Sequence, residues 1–367
     1  MKKIYIGLMS GTSMDGVDAV LCDVETHELI EGLTYPYPLT LKKELEYIVT
    51  HPVGTLHYFS QLNTRIGQIF AKAALCLLEK QKLPREQIQA IGSHGQTLCH
   101  DANQSIPYTV QLGCAHTIAH LTGFDVVADF RTRDLINHGQ GAPLAPLYHR
   151  WLFQGIYPLM LINIGGIANV TYLVNGHKSM GYDIGPGNCL MDCWIEYCLH
   201  KPYDHNGDWA QSGQVIAPLL ASLLKDVFFN LEAPKSIGRE YFSLAWLQSY
   251  LKASYQPQDV QATLLHLTVC LIVQSIEANA IKPKEILLCG GGAHNTCLLN
   301  TLKKALPDIK IATTKARNID PNFIEGMMCA WLADKCLKRI PLDLSTITGA
   351  KHQAILGVIY PGLSNKN

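Results

Sequence analysis

Residues 4–24 read IYIGLMSGTSMDGVDAVLCDV. Two β-prone runs, residues 4–9 and 17–24, flank a loop of small, hydroxyl-bearing and acidic residues, and this pattern predicts a β-hairpin. Glycines in such a loop let backbone N–H groups approach an anion, so the loop is a candidate phosphate site. It is not a Walker loop, because no Gly-Lys-Ser/Thr follows and the next element is predicted to be a strand. The alternative interpretation is a tight hairpin turn without a ligand.

The second half of the chain repeats the order of strand, glycine loop and strand. Apolar runs flank Gly165 and Gly166, with Asn163 and Asn169 beside them. Because the arrangement recurs, we predict an internal structural duplication. A third glycine run, residues 290–292, follows an apolar strand and leaves room for a flat ring or a ribose. The alternatives are unrelated turns and, for the third run, a strand-to-helix connection that needs positive φ.

The composition indicates a globular protein with a small-molecule partner. The chain has 367 residues, of which 48% are hydrophobic and 16% charged, and this suits two domains with sizeable cores. Its 30 basic and 30 acidic residues argue against a nucleic-acid partner or a polybasic membrane surface. Twelve scattered cysteines without a zinc spacing suggest a reducing, cytoplasmic setting. We expect neither a targeting segment nor a membrane span.

The remaining patterns predict an α/β protein of two domains. We expect domain I to span residues 1–130, completed by residues 345–367, and domain II to span residues 131–344. A short strand over residues 88–92 is expected to end in a polar loop, residues 93–97. Further predictions are helices over residues 41–50, 56–80, 190–199, 264–280 and 325–337, strands over 180–183 and 285–289, and a loop at 185–188.

Six motifs follow one another along nearly the whole chain: GLMSGTSMDGVD (residues 7–18), SHGQT (93–97), ADFR (128–131), NIGGIAN (163–169), DIGPGN (183–188) and GGGAHN (290–295). In this order they resemble the anhydro-N-acetylmuramic acid kinases of bacterial cell-wall recycling, which belong to the actin/hexokinase/heat-shock-70 superfamily. Ile184 is a mild departure, since Thr is expected there in many members. The resemblance implies two duplicated actin-like (ribonuclease H-like) domains with mixed central sheets and an interdomain cleft for ATP and substrate.

The resemblance also implies an activity. Family members convert 1,6-anhydro-N-acetylmuramic acid, water and ATP to N-acetylmuramic acid 6-phosphate and ADP. O6 of the sugar starts as an ether oxygen without a proton, so water must attack C1 while O6 meets the γ-phosphorus. A carboxylate is the natural base for that water. The family's catalytic aspartate falls on Asp183, for which the alternative is a helix N-cap or an Asx turn before Leu190.

The residues expected to bind ATP and the sugar come from the same resemblance. Mg²⁺ is expected on the phosphate oxygens with Asp15 or Asp183 near it, although no motif marks a metal ligand. The expected ATP contacts are Gly11, Thr12, Ser13, Met14, Asp15, Gly16, Asp18, Asn163, Gly165, Gly166, Gly290, Gly291, Gly292 and Asn295. The expected sugar contacts are His94, Gln96, Arg131, Asn169 and Glu325.

Each sugar contact has a structural alternative. The fork of Arg131 suits the lactyl carboxylate of the sugar. Its charged neighbours Asp129, Arg133 and Asp134 also allow an exposed salt-bridge cluster. Glu325 is either an acidic substrate contact or a first-turn glutamate favoured by the helix dipole. His94 is either part of the sugar site or a loop histidine with its hydrogen bonds satisfied.

Three other functions remain open from the residues alone. A kinase for an ordinary hexose or amino sugar keeps the fold and changes the substrate. An actin-like or chaperone-like ATPase would couple nucleotide state to assembly or peptide binding, and a sugar sensor would bind without catalysis. The resemblance further implies a homodimer.

Overall fold

The computed structural model describes residues 3–11, 14–81, 83–174, 179–238 and 241–363. Two predicted ATP contacts, Thr12 and Ser13, lie outside these residues, as does the end of the C-terminal segment. The strands are β1 (Ile4–Ser10), β2 (Gly16–Asp23), β3 (Glu28–Pro36), β4 (Ile88–Asp101), β5 (Tyr108–Leu112), β6 (Val126–Ala128), β7 (Leu159–Ile164), β8 (Ile167–Leu173), β9 (Met180–Pro186), β10 (Glu285–Cys289), β11 (Lys310–Thr313) and β12 (Val358–Tyr360).

The helices connect and cover these strands. Five short 3₁₀ turns join them, including one at Gly291–His294. The α-helices are α1 (Leu39–Thr50), α2 (Leu56–Gln81), α3 (Ala115–Thr122), α4 (Thr132–Ile136), α5 (Ala145–Leu152), α6 (Cys189–Leu199), α7 (Asp208–Ser212), α8 (Ala217–Leu223), α9 (Leu244–Gln248), α10 (Pro257–Glu277), α11 (Thr296–Ala305) and α12 (Ile324–Leu337).

The chain forms two compact units, which are bounded differently from the expected domains. Unit 1 comprises Met1–Tyr148 and Phe323–Asn367, and unit 2 comprises His149–Asn322. Helix α12, which we expected in domain II, belongs to unit 1 because it touches β1 and β4 through their backbones. A Cβ on Gly7 would overlap the carbonyl oxygen of Gly326 on α12. The expected break at residue 130 is likewise displaced, and α4 stays with unit 1.

The two sheets share one topology. In unit 1 the strand order is β12-β6-β4-β1-β2-β3, with β5 paired to β4. In unit 2 the order is β11-β10-β7-β8-β9. The first three strands of each unit run antiparallel as a meander, and the next two add in parallel on the other side of the first strand. This repeated order confirms the predicted α/β fold with two duplicated, mixed sheets.

Most predicted elements are present, but strand replaces one predicted loop and the first half of another. Both glycine hairpins form, as β1–β2 and β7–β8. Residues 93–97 continue β4, because this stretch pairs with β1 and then with β5. Strand β9 likewise runs on to Pro186 by pairing with β8. The C-terminal segment reaches unit 1 as expected, since β12 pairs with β6.

Each unit has its own apolar core. In unit 1 the core lies between the sheet and helices α1, α2 and α3, with Phe70 fully buried at its centre. In unit 2 it includes β7, β8 and β9 and the inner side of α10. Helix α10 is long and apolar enough to cross a membrane, but 72% of its most apolar window is buried inside the protein, which identifies it as a core helix.

Candidate active site

The first glycine loop in unit 1 is held by side chains from neighbouring strands. The Ser10 hydroxyl lies 2.7 Å from Oε1 of Gln96 and 2.8 Å from the carbonyl oxygen of Gly16. The carbonyl of Gly11 accepts hydrogen bonds from Met14 N at 3.3 Å and from Gln96 Nε2 at 3.4 Å. Gln96, predicted to contact the sugar, therefore supports the loop predicted to contact phosphate.

The two acidic residues of this hairpin differ in environment. Asp15 is mostly exposed and forms an ion pair with Lys42 at 2.5 Å. Asp18 is partly buried on β2 and accepts a 2.6 Å hydrogen bond from Thr34. Burial, with a smaller contribution from the charge of Asp15, raises the pKa of Asp18 to about 6. The contact with Lys42 makes Asp15 a poor direct ligand for a cation.

A second group of predicted residues is gathered in unit 1 around His94. Arg131 Nε donates a 2.9 Å hydrogen bond to Nε2 of His94, and Nδ1 of His94 lies 2.9 Å from the carbonyl oxygen of Gly95. Because Nε2 accepts, the imidazole is neutral, with its proton on Nδ1. Burial and then the charge of Arg131 lower the pKa of His94 to about 3. His94 therefore stays uncharged at neutral pH.

The charges of Glu325 and Arg131 both influence the pKa of one buried thiol, that of Cys329. Glu325 lies in the first turn of α12, as predicted. Burial, followed by the charge of Glu325, raises the pKa of Cys329 well above its ordinary range, while Arg131 acts in the opposite direction. Asp134 does not take part in an exposed salt-bridge cluster with Arg131, the alternative considered above. It is buried, and it accepts hydrogen bonds from Gly141 N at 2.7 Å and Thr348 Oγ1 at 2.9 Å.

In unit 2, three predicted polar residues form a row across adjacent strands. Asn163 on β7 pairs directly with Asn169 on β8, and Asn169 pairs with Asp183 on β9. Directly paired residues of antiparallel strands have side chains on the same face of the sheet. All three are nearly buried. Register, which the sequence did not reveal, brings two amides and the predicted base together.

The third glycine loop lies at the end of this row. Strand β10 pairs with β7, so that Cys289 lies opposite Asn163 and the glycines follow directly. Gly290 has φ +76°, and a Cβ there would overlap Oδ1 of Asn163. A Cβ on Gly292 would overlap the side chain of Ile164. The loop thus needs glycine for contact with β7 as well as for its backbone angle.

The second glycine loop faces helix α6. The carbonyl of Gly165 accepts a hydrogen bond from Asn188 N at 2.8 Å, and that of Gly166 accepts from Gly187 N at 2.9 Å. Asn188 Nδ2 also donates to the carbonyl of Ile164 at 3.2 Å. Asn188, which the sequence did not single out as a site residue, thereby joins the second loop to the third, because its side chain also lies beside Gly292.

Asp183 is held by residues 235–237, a segment that no sequence pattern indicated. Its N–H donates to the carbonyl of Lys235 at 3.0 Å, and its Oδ2 accepts a 3.0 Å hydrogen bond from Ile237 N. The buried Lys235 donates from Nζ to the carbonyls of Phe228 at 3.0 Å and Phe229 at 3.2 Å. Burial lowers the pKa of Lys235, and the charge of Asp183 opposes that shift. Asp183 is not the N-cap of α6, a position taken by Asn188.

A polar cavity of ≈ 290 Å³ adjoins helix α11 in unit 2. Asn295, predicted to contact ATP, is the N-cap of this helix and accepts a 2.9 Å hydrogen bond from Leu298 N. The side chain of Asn295 therefore has a capping role whatever else it contacts. Among the described residues, no three His, Cys, Asp or Glu side chains cluster as metal ligands. The cavity is lined by Asn206, Asp208, Gln211, Thr296, Cys297, Asn300, Thr301 and Lys304.

Comparison with known proteins places these features in a family. A solved structure, the activator of 2-hydroxyisocaproyl-CoA dehydratase from Clostridium difficile with bound ADPNP, aligns with 92% of this chain and 98% of its own, at 12% identity and a TM-score of 0.47. Two relatives from Legionella pneumophila, strains Corby and Paris, are named anhydro-N-acetylmuramic acid kinase. Each is 52% identical over 359 residues, covering 98% of this chain and 98% of the relative. The profile of the family "Anhydro-N-acetylmuramic acid kinase" matches residues 3–362. The chain therefore belongs to the anhydro-N-acetylmuramic acid kinase family.

Proposed function

We propose that this chain transfers the γ-phosphoryl group of ATP to O6 of 1,6-anhydro-N-acetylmuramic acid while water opens the anhydro bridge. The observation that carries the proposal is Asp183, a nearly buried carboxylate in register with Asn169 and held by the Ile237 N–H. Such a group suits a general base better than a surface charge. Membership of the family indicates the substrate, and the row formed by Asn163, Asn169 and Asp183 suits the activation of water.

The reaction balances around one water molecule. The water oxygen attacks C1, and its proton passes to the Asp183 carboxylate. The bond between C1 and O6 breaks, and O6 forms a bond to the γ-phosphorus as ADP leaves. The carboxylate acts as in inverting glycosidases, where it activates water on the face opposite the leaving oxygen. Phosphoryl transfer here takes the place of the acid that would otherwise protonate O6.

The polar residues of unit 1 suit the sugar. We propose that Arg131, oriented by its hydrogen bond to His94, binds the lactyl carboxylate through its remaining donors. Glu325 would accept a hydrogen bond from a hydroxyl or from the N-acetyl N–H. Gln96 would act mainly by holding the first glycine loop, since its amide group already contacts Ser10 and Gly11.

The glycine loops suit the nucleotide. We propose that backbone N–H groups of the first loop, residues 11–16, and of the second loop, at Gly165 and Gly166, bind the phosphates. The third loop and the cavity beside α11 would receive the nucleoside, whose base can hydrogen-bond to amide side chains such as Asn300. Mg²⁺, which neutralises phosphate charge, would be carried by the phosphate oxygens. Asp15 fits it poorly because of Lys42, and Asp183 would meet it only through water.

The cellular setting follows from the substrate and the composition. We propose a cytoplasmic homodimer acting in cell-wall recycling and amino-sugar catabolism. The scattered cysteines form no disulfide in the part of the chain that the structure describes, which suits a reducing compartment. Light scattering on the purified protein measures the oligomeric state, and a monomeric mass would contradict the dimer.

Product analysis tests the proposed reaction. The enzyme is incubated with anhydro-N-acetylmuramic acid and MgATP in ¹⁸O-water, and the product is examined by mass spectrometry and NMR. We expect N-acetylmuramic acid 6-phosphate with the label at C1 and none in phosphate. Phosphorylation of N-acetylmuramic acid but not of the anhydro sugar would favour an ordinary sugar kinase. Steady ATP turnover without sugar would favour an actin-like or chaperone-like ATPase, and sugar binding without turnover a sensor.

A further inference from the structure

The side chain of Asn169 places a hydrogen-bond acceptor in a buried position on β8. The residue is 9% exposed, and its Oδ1 has no hydrogen-bond partner among the described residues. Buried polar atoms in native proteins are nearly always paired, so an unpaired one at a site calls for an explanation. A ligand or substrate atom that carries a hydrogen-bond donor would satisfy it.

The position of Asn169 in the sheet indicates which group donates a hydrogen bond to its Oδ1. Asn169 lies on the central strand of the row, directly paired with Asp183 on one side and with Asn163 on the other. Side chains of directly paired residues stand about 4.5–5.5 Å apart at Cβ. Two acceptors at that spacing on one face can share a single water molecule, each taking one of its protons.

The proposed reaction requires such a water. A nucleophilic water must point a lone pair at C1, and this orientation is fixed only when both of its O–H bonds have acceptors. Asp183 accepts one. We propose that Oδ1 of Asn169 accepts the other, so that Asn169 orients the water that opens the anhydro bridge. This inference rests on the proposed function, and it gives Asn169 a role distinct from the sugar contact expected from the sequence.

The atoms balance in the oriented step. One water proton moves to Asp183 as the oxygen bonds to C1 and O6 departs to phosphorus. The second proton stays on the new C1 hydroxyl, still hydrogen-bonded to Asn169. The Ile237 N–H, at 3.0 Å from Oδ2 of Asp183, meanwhile fixes the plane of the carboxylate. Water, carboxylate and amide are thereby oriented before the sugar arrives.

Three variants test the role. Asn169→Ala removes the acceptor, and Asn169→Asp keeps an acceptor oxygen of the same shape but loses the amide donors. Thr263→Ala is the matched control: Thr263 is fully buried in unit 2 and donates to the carbonyl of Asp259 at 2.7 Å, away from the row. The measurements are kcat, the sugar Kd by calorimetry with a non-hydrolysable ATP analogue, and the melting temperature.

We expect Asn169→Ala to lower kcat about 100-fold with the sugar Kd unchanged, because only water is misplaced. Asn169→Asp, assayed at alkaline pH so that both carboxylates are ionised, should recover most of that loss. Thr263→Ala should change the melting temperature but not kcat. A weakened sugar Kd with normal kcat, or an Asn169→Asp variant no better than Asn169→Ala, would overturn the inference. Loss of the ¹⁸O label from C1 in the unaltered enzyme would instead refute the proposed function.

Discussion

The main-chain N–H of Ile237 donates a 3.0 Å hydrogen bond to Oδ2 of Asp183. The N–H of Asp183 in turn donates to the carbonyl of Lys235 at 3.0 Å, so residues 235–237 extend along the open edge of β9. Because both the main chain and the side chain of Asp183 are hydrogen-bonded, its carboxylate has little freedom to rotate. The precise placement of a base is worth orders of magnitude in rate, so we expect residues 235–237 to support the proposed catalysis by Asp183.

Lys235 anchors that segment, and its removal should slow catalysis more than it weakens binding. Lys235→Met keeps most of the apolar stem but loses the hydrogen bonds to the carbonyls of Phe228 and Phe229. We expect kcat to fall about tenfold, as for a displaced catalytic group, with ATP and sugar Kd values unchanged. The exposed Lys225→Met is the control. Normal kcat with a lowered melting temperature would make Lys235 purely structural.

Arg131 should report on sugar binding. Arg131→Ala removes a charge-assisted contact to a carboxylate, which corresponds to about 1.5–3 kcal/mol or about 10–150-fold in the sugar KM. Arg131→Lys keeps the charge but loses the planar fork of donors, so its sugar KM should lie between those of the unaltered enzyme and Arg131→Ala. The ATP KM serves as the internal control in the same assays. A change in nucleotide affinity alone would show that Arg131 is misassigned.

Buried histidines should make the protein sensitive to acid. Burial lowers the pKa of His149 to about 3, below its unfolded value of about 6.5. The unfolded chain therefore takes up the proton first, so stability is complete above about pH 6.5 and is lost as the pH falls towards 3. Each such histidine lowers the free energy of unfolding by about 1.4 kcal/mol for every pH unit below that value, down to its pKa in the folded protein.

Urea unfolding at neutral and mildly acidic pH measures this dependence. His149→Gln should weaken the pH dependence of stability, because glutamine has no imidazole to protonate. Its side chain can still contact Thr171, the 2.7 Å partner of His149, so the fold should be kept. His51→Gln, at an exposed position, should leave it unchanged. An identical pH dependence in His149→Gln and the unaltered protein would contradict the assignment.

Much of the fold follows from local pattern. Apolar, β-prone runs around small-residue loops predict both hairpins, and the glycine runs at residues 165–166 and 290–292 mark where strands end. The predicted strand over residues 285–289 matches β10, because its apolar run is bounded by Pro283 and Gly290. Local chemistry decides such elements, so they are visible without tertiary contacts.

Other features depend on tertiary pairing and could not be predicted. Residues 93–97 look like a polar loop, yet β5 pairs with them and extends β4. Helix α12 joins unit 1 through backbone contact at Gly7 and Gly326, which no periodicity reveals. Lys235 lies in an irregular segment far along the chain from Asp183. Only the register of β7, β8 and β9 brings the row of polar side chains together.

The third glycine loop offers a prediction on stability. A Cβ at Gly290 would overlap Oδ1 of Asn163 at a positive φ, whereas a Cβ at Gly291 would meet nothing nearer than Asn188 Nδ2 at 3.7 Å. Gly290→Ala should therefore destabilise the protein by about 1–3 kcal/mol, and Gly291→Ala by much less. Thermal unfolding of the two variants makes the comparison. Equal melting temperatures would contradict the close contact between the third loop and β7.

Turnover of Asp183→Asn tests the central claim most directly. Asparagine keeps an oxygen for the Ile237 N–H and so preserves the geometry, but it cannot take a proton from water. We predict that kcat falls about 10³-fold or more, while ATP affinity by calorimetry and the melting temperature stay near those of the unaltered enzyme. Turnover within about tenfold of the unaltered enzyme would contradict the assignment of Asp183 as the base.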